Sequence, residues 1–449
     1  MIYYILILLS DIFKNIPSFF LQNSVYIFSS ILIAKSYKTK SNNLISTVIF
    51  FLLITYLISL LISLFFSKTS FIFIIQHFLY VAIPLLLFYF LLNRNLKIQK
   101  ISSINNGLII SFIFVAIVGF IQNFIDPGFL ANRFSEITGS GSGQVFRAIA
   151  GLNQKFLKIS SIFASADKYS AVSQSIFLIS IFNLRIAQLE NWKKNRKYIC
   201  YMGIISSIFS LIIAGARARI ITLFIALVLV FSFLTIRSFI SKKDYKIPKS
   251  LKKFFLLISS LFIGITIFIP NFFNNLYESF GIFKLFASTD NYINLISRFI
   301  GQTGIRQEVL NNKGWVISRY DSELKTFSQK IIGDGLGSIS FGKPGEAGVI
   351  STLSESGYIL GILILGILIF IAIMIFIFGI KKINLKNITF IFILNLIAVD
   401  LLLSSVVGLI YFFEPCHLII LYPSVIGCIN IIQLSSNERN LNQQKFLIN

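Results

Sequence analysis

The sequence predicts an all-α polytopic membrane protein: about 11–12 transmembrane helices in a single integral unit, with one large loop between two late helices. Three observations predict it. Of 449 residues, 56% are hydrophobic and only 13% charged, whereas a soluble domain carries charge on roughly a quarter of its residues. Many apolar runs reach the ~20 residues that cross a bilayer as a helix. Lys and Arg gather in short blocks between these runs and recur in alternate connections. In hydrocarbon every backbone polar group must be bonded internally, which helices achieve. The strands of an outer-membrane barrel would alternate polar and apolar residues, and these runs do not, so the expected location is an inner membrane.

The same blocks dispose of the net charge of +23 as a sign of nucleic-acid binding. Basic residues confined to short connections fix membrane topology. Cys200, Cys416 and Cys428 lie in or beside apolar runs without a CxxC pairing, so neither a disulfide framework nor a metal site is expected. His77 and His417 stand alone in the sequence and read as structural or interfacial residues. The N-terminus lacks a basic n-region and an A-x-A site, so no cleavable signal peptide is expected. No cofactor is expected either.

Residues 1–36 hold one helix or two short ones. Tyr3 to Ser10 is apolar but short, Asp11 and Lys14 interrupt it, and Ile16 to Ala34 is long enough to cross. Spans are then expected near 45–66, 70–92, 106–125, 165–184, 198–215, 218–236, 254–271, 352–380, 387–408 and 415–433. Alternate connections carry Lys35, Lys38 and Lys40; Arg94, Lys97 and Lys100; Arg185 with Lys193, Lys194, Arg196 and Lys197; Arg237 with Lys242 to Lys253; and Lys381, Lys382 and Lys386. The positive-inside tendency makes these connections, and the C-terminal tail with them, cytoplasmic. Three segments then face outside: residues 126–160 with a glycine-serine hinge at 139–143, the tight turn at 214–219, and the long loop at 271–349.

That loop is the longest polar interruption in the chain. Loops of such length inside a compact protein are functional or disordered. This one carries Phe280, Phe283, Tyr292, Trp315, Tyr320, Phe327 and spaced apolar residues, so it reads as a folded extracytoplasmic subdomain closing over a site at the outer face.

The polar residues of that face are the candidates for chemistry. Arg217 and Arg219 sit between two apolar runs with almost no linker. Arginine at that depth is costly and marks function, and its planar fork pairs with phosphate in a bidentate way. Two readings follow: a clamp for a lipid-linked diphosphate, or side chains that snorkel to the headgroups. Position favours the clamp, because an outside turn gains nothing topological from positive charge. Asp167 and Lys168, at the mouth of the next inward span, pair with each other or offer Lys168 to the same anion. Arg147, Lys155 and Lys158 extend the basic surface. In the long loop, Arg298, Arg306 and Arg319 suit sugar or phosphate, and Trp315 and Tyr320 suit a sugar face; packing of the loop explains the aromatics equally well. The run GDGLGSISFG lacks the GK[ST] of a phosphate loop and reads as a glycine turn. Glu355 is read as lying in the first turn of a span, where a carboxylate complements the helix dipole or acts as an acid–base group. Asp400, inside an apolar run, points to an internal polar contact.

The order of these pieces resembles the O-antigen polymerase and O-antigen ligase superfamily of bacterial inner membranes. The resemblance is carried by IFASADKYSAVSQSIFLISI, by AGARARIITLFIALVLV, and by IIGDGLGSISF followed by LSESGYILGILILGIL, over roughly residues 100–400. Ala216-Arg217-Ala218 is similar to the family's Ser-Arg-small pattern with the serine replaced. The glycine turn is similar to its Gly-x-Gly-x-Gly element, and Leu353 to Gly357 to its Leu-x-Glu-x-Gly opening of a span. The superfamily's ligases carry a histidine about nine residues before that glutamate; this sequence has Glu346 there and no histidine in the loop, which puts a polymerase ahead of a ligase.

The resemblance implies glycosyl transfer between undecaprenyl-diphosphate-linked oligosaccharides at the outer face, within membrane lipids and with a chain-length regulator as partner. Arg217 is then the first candidate to stabilise the leaving diphosphate, assisted by Arg219, by Arg298 or Arg147, and by Lys168. Glu355 or Glu346 would deprotonate the acceptor, and arginines in place of a cation would make a metal unnecessary. The ligase is the runner-up. A lipid-linked oligosaccharide flippase would show two similar halves and short outer loops, and the motifs of a shape–elongation–division peptidoglycan polymerase are not found.

Overall fold

A computed structural model describes residues 1–10, 24–36, 44–67, 69–94, 96–125, 145–148, 155–163, 166–214, 217–241, 331–338, 348–383, 387–407 and 415–436. Helices with bounds among these residues are α1 (Ile2–Leu8), α2 (Ser24–Ser36), α3 (Leu44–Phe66), α4 (Phe71–Leu92), α5 (Ile98–Phe124), α6 (Ala166–Leu189), α7 (Lys194–Ile213), α8 (Arg217–Ser241), α9 (Gly348–Lys382), α10 (Ile388–Val407) and α11 (Pro415–Ser436). Among the described residues 7 helices are long and apolar enough to cross a membrane. The protein is an all-α polytopic membrane protein. Every expected span except 254–271 coincides with one of these helices; that span and most of the loop at 271–349 lie outside the described residues.

Among the described residues the N-terminal region holds two short helical pieces. At ~1.5 Å per residue, α1 rises only roughly 10 Å and α2 about 20 Å, so neither piece as described crosses ~30 Å of hydrocarbon. The Ser10 hydroxyl at the end of the first piece lies 3.4 Å from Cys416 Sγ at the start of α11.

A small antiparallel hairpin between α5 and α6 was not foreseen. It pairs β1 (Val145–Ala148) with β2 (Lys155–Lys158), with Arg147 opposite Phe156. The segment after it is tied to two helix ends: Ile159 N–H donates to the Ile213 carbonyl at 3.3 Å, and Gln122 Nε2 to the Ser161 carbonyl at 3.0 Å.

Burial separates central from peripheral helices. The spanning window of α6 is 89% buried and that of α11 83%, against 28% for α9. A helix buried all round is a core helix, whereas α9 turns Ile359, Ile362, Phe370 and Ile373 outward, and α3 does the same with Phe51 and Phe65. Lipid is as apolar as these side chains, so helix association needs close approach and polar contacts. The core supplies both. Gly203 of α7 lies against the Ser180 hydroxyl, and Gly427 of α11 against the ring of Phe182. Asn105 Nδ2 donates to Asn183 Oδ1 at 2.9 Å and to Ser424 Oγ at 3.0 Å, and Asn183 Nδ2 donates to the Ser102 carbonyl at 3.1 Å. Asn105→Ala is expected to lower stability by about 1 kcal/mol, read as a lower melting temperature in detergent; an unchanged temperature would show that this network contributes nothing.

Among the described residues the first two basic connections meet at one end of the bundle. Arg94 Nη1 donates to the Lys35 carbonyl at 2.7 Å. Burial first, and then the charges of Lys100 and Lys35, pull the pKa of the Met1 amino group below its ordinary value. The polar centres described next lie in the half away from that end.

Candidate functional site

Two buried polar centres occupy that half. The first is built on a break in a helix. Inside α9, Gly357 adopts φ 75 and ψ 170, a conformation open to glycine and strained for other residues. The break frees backbone groups that must find partners inside a membrane protein. They find them in the glycine turn at Gly333–Gly337, whose three glycines also have positive φ. Asp334 N–H donates to the Ser354 carbonyl at 2.7 Å and Gly335 N–H to the Glu355 carbonyl at 3.0 Å.

The α3–α4 hairpin holds the turn from the other side. Ser67 and Thr69 hydroxyls both donate to the Asp334 carbonyl at 2.8 Å, and Leu336 N–H donates to Ser63 Oγ at 3.0 Å. Ser354 Oγ donates to Asp334 Oδ2 at 3.1 Å. The result is a Glu355 carboxylate that is 3% exposed and 3.6 Å from Nδ1 of His77, itself 2% exposed. Beside the pair, Ser59 Oγ donates to Ser356 Oγ at 3.1 Å, and the Tyr56 phenol of α3 interacts electrostatically with Glu355.

Two expectations are corrected here. Helix α9 begins at Gly348 and has no acidic residue in its first turn, so the Glu355 carboxylate is not its N-terminal cap. His77 does not stand alone. It lies six residues past the start of α4, roughly 9 Å along it, and faces a carboxylate. In the sequence Glu355 and Gly357 look like the ordinary opening of a span. The distortion exists because the turn at 333–337 comes against them.

The second centre joins four helices. Arg219 of α8 lies 3.5 Å from Oδ2 of Asp400 on α10, both about 5% exposed. Arg219 Nη1 donates to Gln174 Oε1 of α6 at 3.0 Å. Gln174 Nε2 donates to Thr222 Oγ1 at 2.9 Å, and that hydroxyl donates to the Arg219 carbonyl at 2.8 Å. The side chains of Thr222 and Gln174 also face the Asp400 carboxylate. The His417 ring of α11 contacts the Ser175 hydroxyl and feels the Arg219 charge, so His417 is not isolated either. Arginine in the first turn of a helix opposes the positive end of the dipole, and a buried charge needs a partner. Asp400 meets both requirements, and is the internal polar contact that its place in an apolar run suggested.

Helices α9 and α10 run antiparallel, with Gly379 near the end of the former 3.2 Å, at an added Cβ, from Asn395 in the first half of the latter. From that level both Glu355 and Asp400 lie toward the end away from Lys382, Glu355 much the farther along, and they belong to different helix groups.

The remaining candidates are placed as follows. Arg217 is the first residue of α8, one residue past the short connection that follows Ala214. Lys168 is half-buried in the first turn of α6, next to Asp167. Arg147 lies in β1. Arg298, Arg306, Arg319, Trp315, Tyr320 and Glu346 lie outside the described residues. Gln174, Ser175 and Thr222 carry no signal of their own in the sequence, and His77 and His417 read there as structural or interfacial residues. The signal for the histidines was their depth in apolar runs, where an ionisable side chain marks function; their partners were not readable.

Chemically, the first centre is a carboxylate–imidazole pair able to take up and release a proton. The second is a charge-compensated arginine held by neutral donors and acceptors. Among the described residues no three His, Cys, Asp or Glu side chains gather as a metal site would require. No family model matches the chain, and no curated protein matches it in sequence.

Proposed function

We propose that the chain is a surface-polysaccharide polymerase of a bacterial inner membrane, transferring a growing glycan from its undecaprenyl-diphosphate carrier to the free end of another carrier-linked repeat unit. The basic end is then cytoplasmic, as the positive-inside tendency requires, the C-terminus lies inside, and both buried polar centres belong to the periplasmic half.

One observation carries the reading. The two motifs of the resemblance that flank the end of the long loop, Gly333–Gly337 and Leu353–Gly357, are joined backbone to backbone and fix one buried carboxylate, Glu355. Such precision is what a proton-accepting group needs. In the transfer, negative charge develops on the leaving diphosphate. Arg217, at the head of α8, is the residue proposed to stabilise it, with Arg298, Arg147 and Lys168 around the same anion and Trp315 and Tyr320 against the sugars. Arg219, already compensated by Asp400, anchors the helix that presents Arg217.

Removing one such charge-stabilising group costs about 10²–10³-fold in rate. Arg217→Ala is therefore expected to collapse the polysaccharide ladder on a gel to core bearing a single repeat unit, as is deletion of the gene. A ladder of normal length in the deletion strain would overturn the polymerase reading. A ladder of normal length from Arg217→Ala alone would overturn the role of that arginine.

A ligase, moving finished glycan to lipid A core or protein, is the second reading. It is favoured by His77, which brings an imidazole to Glu355 that the loop itself does not supply. Its outcome on deletion is polymer of full length retained on the lipid carrier. A flippase would leave no repeat unit at the outer face.

A further inference from the structure

We infer that His77 is a positioning residue for the transfer step, acting through Glu355: Glu355 takes the proton of the acceptor hydroxyl, and His77 orients that carboxylate and passes the proton on. The inference rests on the polymerase reading for its substrate and on the geometry for its residues.

The contrast between the two buried centres carries it. Asp400 is paired with arginine, which keeps its proton at any working pH. That centre is closed by Gln174 and Thr222 and holds one charge state. Glu355 is instead paired with histidine, whose charge changes near neutral pH. A purely structural partner for a buried carboxylate is better made by the first arrangement. The second allows the pair to exchange a proton.

The main chain argues the same way. An unbroken helix would cross the bilayer with every backbone group satisfied. Here α9 is interrupted two residues after Glu355, and three glycines of a distant turn take positive φ to hold its carbonyl. Irregular backbone at membrane depth occurs where it is enclosed by protein or lines a cavity. This one fixes the main chain of Glu355 from one side while His77 stands 3.6 Å from its carboxylate on the other.

From α3, Tyr56 faces Glu355. From the turn, Asp334 takes the hydroxyl of Ser354. On α10 and α11, Asp400 and His417 face Arg219, and Lys35 of α2 belongs to the basic end with Arg94.

The step balances without a redox partner. The acceptor O–H bond breaks and its oxygen bonds the donor's anomeric carbon. The anomeric C–O bond to the diphosphate breaks, and its electron pair leaves on the phosphate oxygen. The proton passes to Glu355, then to His77 and water, which restores the carboxylate.

The test uses the full chain in lipid nanodiscs and the undecaprenyl-diphosphate-linked repeat unit extracted from the deletion strain, with elongation rates measured across the pH range. The native rate is expected to fall at acid pH as the pair fills with protons. Glu355→Gln should lower the rate about 10²-fold and remove the acid limb. His77→Gln should lower kcat about tenfold, leave KM within about twofold, and displace the acid limb by a pH unit or more. Failure of the native chain to elongate the unit at any pH would overturn the polymerase reading itself. Native elongation with an unchanged kcat and profile in a folded His77→Gln would overturn only the role of His77. Should that variant not fold, ¹⁵N-histidine NMR of the native chain decides. The chain has 2 histidines; a signal titrating through the acid limb supports the role, and two signals that do not move overturn it.

Discussion

Arg219→Ala is expected to be among the most damaging single substitutions in this protein. It takes from the buried Asp400 carboxylate, 5% exposed, the guanidinium 3.5 Å away, and leaves Gln174 Oε1 without the donor that now reaches it at 3.0 Å. Removing one partner of a buried pair costs about 3–5 kcal/mol, because the remaining charge keeps its desolvation penalty and loses its attraction. The amount of folded protein in membranes and its melting temperature in detergent should both fall sharply.

The second substitution separates charge from packing. Asp400→Asn in the Arg219→Ala background removes the orphaned charge, so the double variant should recover most of the lost stability. Coupling between residues in contact runs to about 0.5–3 kcal/mol. If Arg219→Ala melts like the native chain, or if the double variant is worse than the single, the ion pair does not hold these helices. With the double variant folded, its activity also tests whether Arg219 does more than anchor Arg217.

Gly357→Ala is expected to have an effect of similar size by a different route. A Cβ at this position falls on the Ile331 carbonyl and within 2.7 Å of the Ile332 carbonyl carbon. Both are backbone, so no side chain can swing away. A residue held at positive φ adds about 1–3 kcal/mol of strain. The turn must lift off α9, and with it go the bonds to the Ser354 and Glu355 carbonyls. Gly333→Ala attacks the same contact from the other side, with a Cβ 2.7 Å from the Glu355 carbonyl oxygen. Gly366, further along α9, is the control: an added Cβ meets nothing within 4 Å, and alanine is the better helix former. Gly366→Ala should therefore express and melt like the native chain or slightly better. Equal behaviour of Gly357→Ala and Gly366→Ala would show that the break in α9 is dispensable.

A large part of the fold was legible because it depends on one-dimensional properties. The length of an apolar run decides whether it spans, and the spacing of Lys and Arg decides which connections share an end. Both survive without knowledge of neighbours, so most of the spans were placed within a few residues of the observed helices. The paired strands at 145–148 and 155–158 were missed because two strands of four residues signal weakly next to a glycine-serine run. The first 36 residues stayed open between one helix and two because Asp11 and Lys14 interrupt the apolar run without deciding how far each side extends.

The candidate site was legible only as a set of residues. Arg219, Asp400 and Glu355 were picked out because a charge in an apolar run is costly wherever it lies. Their partners were not, because pairing depends on which helix faces come together. Arg219 with its neighbouring Arg217 reads as a cationic patch, yet the tertiary structure shows its charge answered by Asp400. Glu355 reads as a helix cap, yet the turn at 333–337 and the histidine of α4 make it one half of a buried pair. The sequence by itself determined that this chain is a bundle of membrane helices with a basic end, since hydrocarbon sorts residues by polarity and length alone. Only the tertiary structure decided which buried charges neutralise one another and where a helix breaks, since both depend on contacts between segments that the chain order keeps far apart.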